Sequence, residues 1–71
     1  MVNVDLLKNT IKEQGIRNLF IAYKMGLSPE GFYKKLRGES EFKVSEVSCL
    51  TEVLRLTEEQ RNAIFFAEEV E

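Results

Sequence analysis

The 71-residue sequence predicts an all-α fold of five short helices, on three observations. Apolar residues recur at spacings of three and four along the chain, and no run of strict alternation marks a strand. Glycines at 15, 26 and 38 stand just past periodic segments, where a left-handed cap is wanted. Asn3, Ser28 and Thr57 stand just before such segments, where a side-chain oxygen can accept from the freed amides of a first turn.

Each element follows from these signals. The first helix starts after Asn3, carries Val4, Leu7 and Ile11 on one stripe, and stops at Gly15. The second opens at Asn18 and runs through Leu19, Ile21, Ala22 and Met25 to Gly26. The third has Ser28 as N-cap and Pro29 at the first helical position, where a missing amide hydrogen does no harm, and ends at Gly38. A short polar connection, Glu39–Lys43, is anchored by Phe42. The fourth helix begins at Val44 or Ser45, reaches Arg55, and places Val47, Leu50 and Leu54 on one face with Val53 beside them. The fifth starts at a capping box, Thr57 with Gln60 three residues on, and carries Ile64, Phe65, Phe66 and Ala67 before an acidic end. A chain of this length is expected to be a single domain, residues 1–71, with no room for a second core.

Composition narrows the function classes. The apolar fraction of 44% is that of a folded protein. Cys49 is the lone cysteine, so no internal disulfide is expected, and the setting reads as reducing; within a helix that packs inward it reads as a small buried residue. No signal peptide is expected, and no apolar run approaches the ~20 residues that span a bilayer. There is no histidine, no cysteine pair and no glycine-rich phosphate loop, so neither a metal or cofactor site nor a catalytic constellation is expected. Glu58, Glu59, Glu68, Glu69 and Glu71 read as solvated carboxylates. The chain is therefore not read as an enzyme, and no small-molecule substrate or membrane partner is expected. The formal charge of −2 hides a gradient: +1 over residues 1–23, +2 over 24–43 and −5 over 44–71. Positive potential thus gathers around the third helix.

Residues 18–37 carry the functional signal. Two short helices joined by a Gly-centred turn describe a helix-turn-helix, with Ala22 allowing close crossing, Gly26 supplying positive φ and Leu27 plugging the core from the turn. With Phe32 at zero and ~100° per residue, Leu36 lies near ~40° and forms the buried edge with it. Glu30, Tyr33, Lys34 and Arg37 fall on the opposite side, between ~100° and ~200°. Lys35 is expected to project laterally, toward phosphates. A narrow apolar seam with a basic, aromatic outer face suits a major-groove reader; a generic helical hairpin with a solvated face is the plainer alternative.

Ile21-Ala22, Met25-Gly26-Leu27-Ser28, Phe32, Leu36 and Gly38 together resemble the helix-turn-helix regulators of the phage repressor and Cro type (XRE-like). The resemblance covers about residues 4–56 and implies a compact five-helix domain of the lambda repressor-like type. Leu36 as the late core residue looks Cro-like. The ending EFKVSEVSCLTEVLRLTEEQRNAIFF is similar to small lytic-switch regulators of temperate phages of Gram-positive bacteria, among them modulators of repression. The resemblance implies a bacterial host cytoplasm, double-stranded operator DNA as partner, and base-reading positions at Ser28, Pro29, Glu30, Tyr33, Lys34 and Arg37. Lys24, Lys35 and Lys43 would flank these on the phosphates, and a homodimer is a further expectation. Pro29 and Glu30 stand where amides are frequent in the family. Pro29 donates no hydrogen bond, Glu30 is placed to pair with Lys34, and Gly31 weakens the helix by up to ~1 kcal/mol relative to Ala.

Two apolar pairs, Leu19-Phe20 and Phe65-Phe66, add a second line. Neighbours on a helix differ by ~100°, so both members of a pair cannot point at one core centre. The plainer reading is a broad buried face; the sharper is that one of each pair serves a protein–protein surface. With the acidic C-terminal half, they support an alternative function: an antirepressor that keeps the fold and binds the cognate phage repressor.

Overall fold

A computed structural model describes residues 2–66, and every regular element among them is helical. The first helix, α1 (Val4–Gln14), opens where Asn3 Oδ1 accepts from the Leu6 amide at 3.1 Å. The Asn3 amide itself donates to the Ile64 carbonyl at 2.6 Å, which ties the start of the chain to its last helix. At the other end Gly15 takes φ 69° and returns its amide to the carbonyls of Ile11 and Lys12.

The next helix, α2 (Asn18–Met25), closes on Gly26 at φ 72°, and the Leu27 amide then folds back to the Ala22 carbonyl at 2.9 Å. That turn delivers Ser28, whose Oγ accepts from the Gly31 amide at 3.1 Å and caps α3 (Pro29–Leu36). A Cβ on Gly31 would stand 3.2 Å from that hydroxyl, so the glycine keeps the cap uncrowded.

Glu46 caps α4 (Val44–Val53) by accepting from the Lys43 amide at 2.7 Å. The Thr57–Gln60 box opens α5 (Glu58–Phe65) with reciprocal bonds of 3.1 and 2.8 Å.

Packing joins α2 to α3 and α4, and α1 to α3 and α5. The shared core is Leu7, Ile11, Ile21, Ala22, Phe32, Leu36, Leu50, Leu54, Leu56, Ile64 and Phe65. Phe32, wholly buried, contributes about 1.5–3 kcal/mol through desolvation alone. Leu27 packs against this core from the α2–α3 turn, and Phe42 does so from the α3–α4 connection. Gln14 Nε2 donates to the Leu54 carbonyl at 2.6 Å and locks the end of α1 to the end of α4.

Two local expectations are corrected. The fourth helix ends at Val53 rather than Arg55, because Arg55 takes φ 51° and reverses the chain. The reversal lets Leu54 and Leu56 both enter the core, with the Leu56 amide bonded to the Thr51 carbonyl at 2.9 Å. Cys49 is half-buried, not sealed inside: its thiol lies 3.4 Å from the Lys24 carbonyl, where α4 meets the end of α2. No described helix is long and apolar enough to cross a membrane.

Candidate nucleic-acid interface

The interface begins with how α3 is held. Phe32 and Leu36 are driven inward by burial, and the cap at Ser28 together with Pro29 aims the first turn outward. Ser28, Pro29, Glu30, Lys34 and Arg37 are exposed, and Tyr33 is half-buried with its ring centroid 6.5 Å from that of Phe32. These side chains share one outer face, offering a phenol, an ammonium, a guanidinium and a carboxylate.

Lys35 departs from its expected position. It is 7% exposed, and its ammonium lies 2.9 Å from Glu46 Oε1. It also donates to the Glu41 carbonyl at 2.7 Å and sits 5.9 Å above the Phe42 ring. The cause is angular. Three residues after Phe32 and one before Leu36, Lys35 borders the buried arc, and only a carboxylate from α4 makes that tolerable. It therefore does not project laterally as expected, and its ammonium is taken up inside the fold. Burial works to raise the Glu46 carboxyl, but the Lys43 amide and the Lys35 ammonium outweigh it and hold the carboxyl below its ordinary range.

Arg37 also has an unforeseen setting. Its Nε donates to Glu39 Oε2, and its Nη2 lies 3.8 Å from Glu30 Oε1. Glu30 is thus placed beside Arg37, not in an ion pair with Lys34 as expected. Backbone geometry brings Glu39 there: Gly38 takes φ 78°, the Gly38 amide returns to the Lys35 carbonyl, and the Glu39 amide to the Lys34 carbonyl. The hydrogen bond between them raises the Arg37 guanidinium above its usual value and holds the Glu39 carboxyl below its own. Both groups therefore stay charged and mutually neutralised at neutral pH.

The flanking lysines are exposed. Lys24 sits at the end of α2 with its ammonium 5.5 Å above the Phe20 ring, and Lys43 precedes α4. Among the described residues, Lys24, Lys34 and Lys43 have no carboxylate within ion-pair distance.

The apolar pairs separate differently from the expectation. Leu19 and Phe20 are both exposed, at 58% and 49%, and Tyr23 continues their stripe at 77%. Ile21, Ala22 and Met25 face the core, which leaves 19, 20, 23 and 24 on the far side of α2. Phe65 is buried, with its ring edge-on to Phe42 at 5.6 Å, so it belongs to the core and not to an interface. Phe66 is the exposed member, bordering a groove with Val2, Val44, Val47 and Arg61. That groove includes none of the α2 stripe, so the exposed aromatics form two patches.

Two contributors, Glu39 and Glu46, were not legible as site residues. For Glu39 the signal was the preceding Gly38, whose left-handed cap folds the next residue back; for Glu46 it was a carboxylate three residues after Lys43, at a helix start. Among the described residues no group of three or more His, Cys, Asp or Glu side chains could hold a metal ion. Comparison of the chain with family models, curated proteins and solved structures returned no match.

Proposed function

We propose that this chain is a small phage-type transcriptional regulator of a lysis/lysogeny-like switch, built on a helix-turn-helix of the repressor and Cro type, and that α3 enters the major groove of operator DNA. The observation that carries the reading is the outer face of α3. Tyr33, Lys34 and Arg37 lie along one side of a short, capped helix whose other side is anchored by Phe32 and Leu36. Lys34 and Arg37 meet bases or phosphates in this reading, while Lys24 and Lys43 flank them on the backbone. Binding then weakens steeply with salt, because each phosphate contact releases counterions. Gel shifts on fragments of the encoding phage's control region, run across a salt series, test this. Lys34→Ala and Arg37→Ala are expected to lower affinity; tight binding that survives both substitutions would remove α3 as the reader.

A second reading, the antirepressor, is favoured by a specific observation: Leu19, Phe20 and Tyr23 are large and exposed along the far side of α2, and Phe66 is exposed on a separate patch. An apolar stripe of this kind fits a protein partner such as the cognate repressor. Calorimetry of the chain against that repressor's N-terminal domain tests it. Phe20→Ala should weaken the complex at least tenfold, and the absence of both heat and a co-eluting complex would exclude it.

A further inference from the structure

We infer that Glu39 and Glu30 form an autoinhibitory clamp on Arg37, which competes with DNA for the guanidinium and so lowers, without abolishing, its contribution to the affinity of α3; this rests on the DNA-binding reading above. Three observations converge on it. First, the clamp is built by the backbone. The Gly38 turn, closed by the Gly38-to-Lys35 and Glu39-to-Lys34 bonds of 3.1 and 2.9 Å, folds the Glu39 backbone back beside Arg37, within reach of the guanidinium. An ion pair whose members are already positioned loses less side-chain entropy than one between two free chains.

Second, the clamp has two carboxylates. Glu39 occupies Nε, and Glu30, from the first turn of α3, lies within ion-pair distance of Nη2. A guanidinium has five N–H donors in a fixed fork; Glu39 takes the one on Nε, and Glu30 adds a second negative charge beside Nη2, so an incoming phosphate has to compete with both. Third, the neighbouring cation does not compensate. Lys35, next but one along the helix, is consumed by Glu46 inside the fold. The outer face of α3, with Glu30, Lys34, Arg37 and the folded-back Glu39, therefore carries two positive and two negative formal charges. A face balanced in this way has little long-range pull on a polyanion.

Because both carboxylates are exposed, the clamp is held loosely enough to open, and whatever removes their charge converts α3 from a neutral to a basic surface. Its occupant when open is a DNA phosphate. The test needs no operator. Fluorescence anisotropy with a labelled mixed-sequence DNA duplex, over a salt series, compares wild type with Glu30→Gln/Glu39→Gln, with Arg37→Ala, and with the triple variant. Glu52→Gln/Glu59→Gln serves as a remote pair of equal charge change.

The clamp predicts that Glu30→Gln/Glu39→Gln binds about tenfold more tightly at low salt. Its log K–log salt slope should steepen by about 0.9, the signature of one added phosphate contact. The gain must collapse in the triple variant, since it acts through Arg37, and must exceed that of the remote pair. A gain that persists without Arg37, or that the remote pair matches, overturns the clamp and leaves ordinary charge repulsion. If wild type binds and the double variant binds no better, the clamp is overturned and the DNA-binding reading stands. If no variant binds at any salt, both fall together.

Discussion

Lys35 and Arg37 are two residues apart on the same short helix, each is basic, and each meets a carboxylate. Lys35 is inside, 2.9 Å from Glu46, with a carbonyl and an aromatic ring completing its surroundings. Arg37 is outside, held by Glu39 across a glycine turn and approached by Glu30. The difference is solvent. Water shields the outer cluster, so that pairing can be made or broken at little cost to the fold. The inner pair has surrendered its hydration, so it joins α3 to α4 as a structural tie whose loss strands a buried charge. The same chemistry thus serves folding in one place and leaves a releasable surface in the other.

Removing one inner partner is the largest perturbation of this contrast. Lys35→Ala or Glu46→Ala should lower unfolding free energy by about 3 kcal/mol, read from the urea midpoint. Lys35→Met/Glu46→Leu, which removes both charges, should recover much of that loss. If either single substitution were neutral, the inner pair would be no tie.

Acid should separate the two pairs next. Glu46 is held below its ordinary range when folded, so its contribution is complete above the unfolded carboxylate range and is lost as pH falls through the lower, folded value. Thermal melts should therefore show midpoints declining through the acidic range, and Glu46→Gln should flatten that decline. A wild-type profile with the same slope as the variant would show that other carboxylates set the acid limit.

Gly38 sharpens the outer half of the comparison. Its φ of 78° is a left-handed conformation, so Gly38→Ala should cost about 1 kcal/mol. The same change should loosen Glu39 from Arg37, visible as faster solvent exchange of the Arg37 Nε proton in NMR spectra. The smallest effect belongs to Glu39→Gln: the urea midpoint should not move measurably, although the surface of α3 becomes more basic. A clear loss of stability there would make the outer pair as structural as the inner one.

How much of this was legible in advance varies with the range of the forces involved. Asn3, Ser28 and Thr57 could be read as caps because the amides they satisfy lie within three residues. The inward positions of Phe32 and Leu36 and the outward positions of Tyr33, Lys34 and Arg37 followed from helical angle alone. Lys35 was misplaced because it lies on the border of the buried arc, where a long charged side chain goes to water unless a distant carboxylate receives it. Phe65 and Phe66 could not be assigned individually either: Phe65 is covered by the assembled core, including Phe42 from the α3–α4 connection.

By itself the sequence determined five helices, the caps at Asn3, Ser28 and Thr57, the turn at Gly26 and the outer face of α3, because periodicity, capping and glycine φ act over a few residues. Tertiary structure decided which charges that face retains. Glu46 draws Lys35 inward from α4. Packing leaves Leu19, Phe20 and Tyr23 uncovered on the far side of α2. Those outcomes depend on which surfaces meet across the fold, and desolvation is settled only when they do.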